Sequence, residues 1–265
     1  MNQSVNRPAY SSAEIVHLTV RTIVVDCHTW CMATRQQSTE RAGKRRERDE
    51  ALRPFRGFLT PGICFASGHC IWLLQFSSTP TAIEAYDEIW VITPDRERIL
   101  YVDPTEAGPY VETYHEFDRV IGATITWSEA GTDGVEMHLE AEDGTTLDLR
   151  ADLGASTGTR LLTAITSLTP QPVLRTSIGG AISNLTFDLL MDSNGLKVVG
   201  KTDTREPYRV EADSLRVITS AAATLNDEDL GAVQPPTRSI EFGDAIVPNE
   251  PFFVFGDLYL RPPPE

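Results

Sequence analysis

Three successive runs between Ile121 and Leu153 alternate apolar and polar residues. Ile121, Ala123, Ile125 and Trp127 share one parity, as do Val135, Met137, Leu139 and Ala141 in the next run and Leu147, Leu149, Ala151 and Leu153 in the third. Strand side chains switch faces at every residue, so each run has one face built for a core and one for water. The pattern predicts an antiparallel meander with a solvated face.

Its register can be read further. A three-residue loop at Glu142, Asp143 and Gly144 puts glycine at the left-handed last position. Leu139 then opposes Leu147, Met137 opposes Leu149 and Val135 opposes Ala151, while on the wet face His138 meets Asp148 and Glu136 meets Arg150. A two-residue loop would set Leu139 against Asp148, and such a slip sends every side chain to the wrong face. For the preceding hairpin, the same parity predicts Trp127 opposite Val135 and Ile125 opposite Met137.

Further strands flank this meander. Glu88 to Asp103 reads as a hairpin turning at Pro94 to Glu97, with Ile92 opposite Ile99 and Trp90 opposite Tyr101. Leu196 to Lys201, Tyr208 to Ala212, Leu215 to Thr219, Ile240 to Ile246 and Phe252 to Leu260 supply others. About eight to ten short strands predict a mainly β fold, an antiparallel barrel or sandwich. Residues 156–191 break the pattern. Gly158 to Leu168 suits a short helix, and Ile178, Ile182, Leu185 and Leu189 form a stripe at helical spacing. The expectation is an inserted helical hairpin that lids the sheet or completes its core.

Composition changes the picture in two ways. The 265-residue chain has a net charge of −15, and its basic residues are nearly all arginine, the lysines being Lys44, Lys197 and Lys201. Acid excess with scarce lysine fits a halophilic, cytoplasmic protein kept soluble in concentrated salt, or equally an arginine-rich codon usage with an ordinary acidic surface. It argues against nucleic acid as a partner, since that affinity is mostly electrostatic.

Charge and cysteine also divide the chain. Residues 1–56 carry ten basic and six acidic residues, whereas 57–265 carry thirteen and thirty-two. Cys27, Cys31, Cys64 and Cys70 all fall early. Residues 1–76 therefore read as an N-terminal extension, disordered or preceding the true start, and 77–265 as a single mainly-β domain. Phe58 to Phe76 is as long as a membrane span, but Pro61, Gly62, His69 and Gln75 interrupt it, so no membrane partner is expected. Cys27, His28 and Cys31 with Cys64, His69 and Cys70 are spaced too loosely for structural zinc knuckles, and free thiols are the expectation over a metal site or a disulfide.

Candidate chemistry is sparse. Tyr110 to Asp118 holds two tyrosines, His115 and several carboxylates. Read as a strand, it turns His115 to the side of Val111 and Phe117, where a buried imidazole with Glu112 or Glu116 would serve as an acid/base pair. Tyr110, Tyr114 and Trp127 are the aromatic residues expected to contact a ligand. Gly154 to Arg160 lacks a phosphate-loop lysine, and no nucleophile elbow, dinucleotide fingerprint or cofactor motif occurs. Three readings stay open: a barrel or sandwich binding a small hydrophobic molecule in an interior cavity, an enzyme on that scaffold using His115, and a protein-interaction module. The sequence assigns no oligomeric state.

Overall fold

In the computed structural model, the residues described are 51–129, 134–154 and 195–263. They form a large, mostly antiparallel β-sheet. Its strands are β1 (Arg53–Cys64), β2 (Cys70–Ser78), β3 (Tyr86–Ile92), β4 (Arg98–Asp103), β5 (Arg119–Glu129), β6 (Gly134–Ala141), β7 (Thr146–Gly154), β8 (Val199–Lys201), β9 (Pro207–Leu225), β10 (Glu228–Asp229) and β13 (Phe252–Leu260). The short strands β11 (Glu241–Phe242) and β12 (Ala245–Ile246) pair with each other.

The strand order runs β9-β13-β1-β2-β3-β4-β5-β6-β7, and β7 pairs back onto β9, so the sheet nearly closes into a ring. The long strand β9 makes this possible. Its first part pairs with β13 and its last part with β7, and Val217 lies opposite both Phe252 and Gly154. Separate short strands were expected at 208–212 and 215–219; one continuous strand, running on to Leu225, replaces them.

Alternation along the strands sorts the core. Ile71 and Leu73 on β2, Ile89 and Val91 on β3, and Leu139, Leu147 and Leu149 on the meander belong to one buried cluster. The Phe58 and Trp127 rings touch within it at 5.0 Å although their strands, β1 and β5, are separated by three others in the sheet. Strands stand about 4.8 Å apart, so only a curled sheet brings these rings together. This cluster is the ring's interior, and it is filled. The opposite parity of β2 and β3 (Trp72, Leu74, Phe76, Tyr86 and Trp90) faces outward, yet it too is buried.

What buries it is the β4–β5 connection together with Phe242 of β11, which packs on Trp72 and Trp90 at 5.3 and 4.6 Å. Strands β4 and β5 are parallel, so the chain must cross over between them. It does so through a 3-10 turn, Thr105–Ala107, and a short helix α1, Gly108–Glu112, the one α-helix among the described residues. Ala107, Val111 and Tyr114 turn inward onto the outer face. The strand expected over Tyr110 to Asp118 is therefore corrected to a helical crossover. Buried positions at spacings of four and three are helical, and Pro109 sits in the helix's first turn, where its missing N–H costs nothing.

The predicted meander register is reproduced at β6–β7, including His138 opposite Asp148 and Glu136 opposite Arg150. Two other registers differ. In β5–β6, Trp127 opposes Met137 and Ile125 opposes Leu139, a shift of two residues that preserves the faces. In β3–β4, Trp90 opposes Leu100 and Ile92 opposes Arg98, a shift of one, with Arg96 in the turn at φ 74°. Strands β1 and β2 bring residues 53–78 into the same sheet, so it extends well before the boundary expected at residue 76. Cys64 and Cys70, expected as free thiols, face each other across β1–β2 and are joined in a disulfide. The predicted helical hairpin at 156–191 and the cysteines Cys27 and Cys31 lie outside the described residues.

Candidate functional site

Between the outward face of β1–β3 and the segments that cover it is a cavity of about 90 Å³. Its walls come from Trp72, Leu74, Tyr86, Glu88 and Trp90 on the sheet, from Val111, Tyr114 and His115 on the crossover, and from Tyr208, Val254 and Leu258 on β9 and β13. Trp72 and Trp90 stack at 5.1 Å and 17°. Most lining groups are apolar; of the polar ones, Lys197 is paired with Asp244 and the Tyr208 hydroxyl with the Lys197 carbonyl, and Glu88 is the carboxyl among them.

Glu88 is 3% exposed. Parity sends it to the same face as Tyr86 and Trp90, away from the solvent that a strand end would ordinarily offer. The Trp90 indole N–H donates to its Oε2 at 2.7 Å. Burial pushes the Glu88 carboxyl up to about 8, aided by the Asp87 charge, while hydrogen bonds from Trp90 and Tyr86 pull the other way. Burial thus favours the protonated acid, which can donate a hydrogen bond as well as accept one. A second cavity-lining ring, Trp72, keeps an indole N–H with no partner among the described residues.

His115 lies against Trp90 at 4.7 Å and Phe242 at 5.8 Å, with 13% of its side chain accessible. Its Nδ1 is 3.3 Å from Asp203 Oδ2. Burial lowers the imidazole's pKa; Asp203 opposes that shift and Arg98 adds to it. Asp203 is anchored in turn by the Gly243 N–H at 2.6 Å, the Glu116 N–H at 3.3 Å and Arg98 at 3.3 Å. Burial alone would raise the Asp203 carboxyl, but His115, Arg98 and the Glu116 amide hold it below the usual carboxylate range.

The structure thus brings two of the expected site residues, His115 and Tyr114, to one cavity. Tyr114 spends its hydroxyl on the Arg261 carbonyl at 2.7 Å, so it contributes a wall and no free hydroxyl donor. Glu112 and Glu116 are exposed, and the carboxylate on His115 is Asp203 instead. Tyr110 is half-buried on α1 and does not line the cavity. Trp127 is at the ring's interior edge against Phe58. His138 Nδ1 donates to the Asp148 carboxylate at 2.7 Å on the solvated face, as its parity predicts.

Sequence reasoning missed Glu88, Trp72, Trp90 and Asp203. For Glu88 a signal existed: it shares parity with Trp90 and Ile92 in a run whose two faces are both apolar. Asp203 reaches His115 from 88 positions away, and no local pattern announces that. Comparison with protein-family models, with curated proteins and with solved structures finds no match.

Proposed function

We propose that this domain binds a small, compact, mainly apolar molecule with one hydrogen-bonding group, and that it does so in the cavity outside the ring. The near-closed ring is, in this reading, a barrel with a structural interior, since side chains from all round the sheet fill it. The observation that carries the proposal is the Glu88 carboxyl, buried on the wall of a largely apolar cavity. A carboxyl there costs stability that an apolar side chain of similar size would not. The Trp72 N–H, which has no partner among the described residues, offers a donor to an acceptor such as a carbonyl.

Size restricts the ligand. A cavity of about 90 Å³ has room for roughly six water-sized groups. That favours a compact ring ketone or alcohol over a dye-sized molecule. Cyclopentanone titrated into the protein should quench the fluorescence of the stacked Trp72–Trp90 pair saturably, and a Val111→Phe variant, which fills the space, should lose the response. Absence of any saturable change in fluorescence or in ligand-observed NMR would overturn the proposal. The acid excess supports a concentrated-salt setting. The Cys64–Cys70 bridge favours an oxidising compartment over the cytoplasm expected from composition.

A further inference from the structure

Several titratable groups line the cavity; Lys197, Tyr114 and Tyr208 bond to Asp244, the Arg261 carbonyl and the Lys197 carbonyl, while Glu88 and His115 stand on two different walls, and simple binding uses only the first. Glu88 arises from β3 and His115 from the crossover after α1. Trp90 lies between them: its indole nitrogen is bonded to Glu88 at 2.7 Å, and its ring packs on His115 at 4.7 Å. A histidine tethered through Nδ1 by a carboxylate is fixed in orientation and presents Nε2 as its working nitrogen. His115 is tethered in that way by Asp203, and its ring forms part of the cavity wall.

We propose that Glu88 and His115 act as a general acid and a general base on a small ketone or aldehyde bearing a C–H next to its carbonyl, with Asp203 as the positioning residue. The inference rests on the binding reading above. His115 Nε2 takes the proton from the carbon beside the carbonyl, and the C–H bonding pair becomes a carbon–carbon double bond. The carbonyl π pair moves onto oxygen, which takes the proton of the Glu88 carboxylic acid. The enol then stands between an imidazolium and a carboxylate. Running the steps backwards restores ketone, acid and base, so no oxidant, reductant or other co-reactant is consumed. Because the imidazolium exchanges its proton with water, the net result is exchange of that carbon's hydrogen with solvent.

The surroundings set both groups in the required forms. Around His115 stand Asp203, which raises its pKa, and Arg98, which lowers it, with burial the dominant influence and downward. Around Glu88 stand Asp87, Tyr86, Trp90 and, from the crossover, Tyr114. Burial disfavours the charged form of both groups, which favours a neutral imidazole beside a neutral carboxylic acid. Pairs whose environments separate their protonation in this sense are suited to work as base and acid together.

The test is hydrogen–deuterium exchange of cyclopentanone in D₂O, followed by proton NMR, with binding measured in parallel by tryptophan fluorescence. The wild-type protein should accelerate exchange over buffer, with a rate that falls above pH about 8 as Glu88 ionises. Glu88→Gln and His115→Gln should each lose about 100-fold of the acceleration. Asp203→Asn should lower the rate and move the acidic limb of the pH profile downward, because the carboxylate that supports the imidazolium is gone. Saturable binding with no exchange above buffer would overturn the acid–base inference and leave the binding reading intact. No binding would overturn both. The wild-type profile tests the inference without any variant: a rate that stays level through pH 9 contradicts the role given to Glu88.

Discussion

Replacing Glu88 by glutamine removes a buried ionisable group while keeping its shape, and the consequence for stability follows from the wall it occupies. In the unfolded chain its carboxyl titrates near 4.5, and in the folded protein burial moves it to about 8. Below the lower value both states are protonated and the contribution is whole. Between the two values the unfolded chain releases a proton that the folded protein retains, so stability falls as pH rises, and above about 8 the loss is complete. At about 1.36 kcal/mol for each pH unit, the loss is on the order of 5 kcal/mol before local relaxation or water entry reduces it. Glu88→Gln has no such dependence. Urea unfolding followed by tryptophan fluorescence from pH 5 to pH 9 should therefore show wild type losing ground steadily to the variant. The variant should be the more stable protein at pH 9. At pH 5 it should equal wild type or fall about 1–3 kcal/mol short, if the glutamine amide leaves a buried polar atom unpaired. Asp87, whose own carboxyl burial raises to about 6, adds a similar but earlier slope to both proteins and cancels in the comparison. Parallel curves across the range would refute the placement of Glu88 as a buried, proton-retaining acid.

Other consequences are independent of the cavity. Replacing Cys64 and Cys70 by alanine should cost about 2 kcal/mol, a value suited to a short closed loop, and lower Tm while leaving the far-UV circular dichroism of the sheet in place. Native protein that reacts fully with a thiol reagent without reductant would contradict the bridge. Gly57→Ala should be severely destabilising, by several kcal/mol, because a Cβ there overlaps the Gln75 carbonyl oxygen at the β1–β2 irregularity. Gly144→Ala meets nothing within 4 Å and should cost only about 1 kcal/mol through its φ of +85°. Equal losses in denaturant midpoint would refute that distinction. Asp148→Asn should change stability by less than about 1 kcal/mol and bring the raised pKa of His138 back toward its ordinary value in an NMR titration, since the pair is exposed.

How far the sequence could be read depended on whether a strand had a wet face. In β6–β7 the outward residues are Glu136, His138, Asp148 and Arg150, so a slip of one residue would bury charge, and the register was legible to the residue. In β3–β4 both faces are apolar: Ile89 and Val91 enter the ring, and Trp90 and Ile92 pack beneath the crossover. Neither parity was penalised there, and the pairing came out one residue off. The same loss of contrast hid Glu88, which looked like the ordinary polar start of a strand. His115 was singled out for its inward parity on a strand that does not exist. It is buried because the parallel β4–β5 pair forces a crossover onto the outer face. Its partner Asp203 is set by tertiary packing alone, through the Gly243 and Glu116 amides.

The central claim is that a ligand sits outside the ring, under the crossover and against Glu88. A crystal structure of the protein soaked with cyclopentanone tests it most directly. The account predicts density beside the Trp72–Trp90 stack with the ketone oxygen within hydrogen-bonding distance of Glu88 or Trp72 Nε1. Density only at the ring's edge near Trp127, or a cavity that stays empty at saturating ketone, would contradict it.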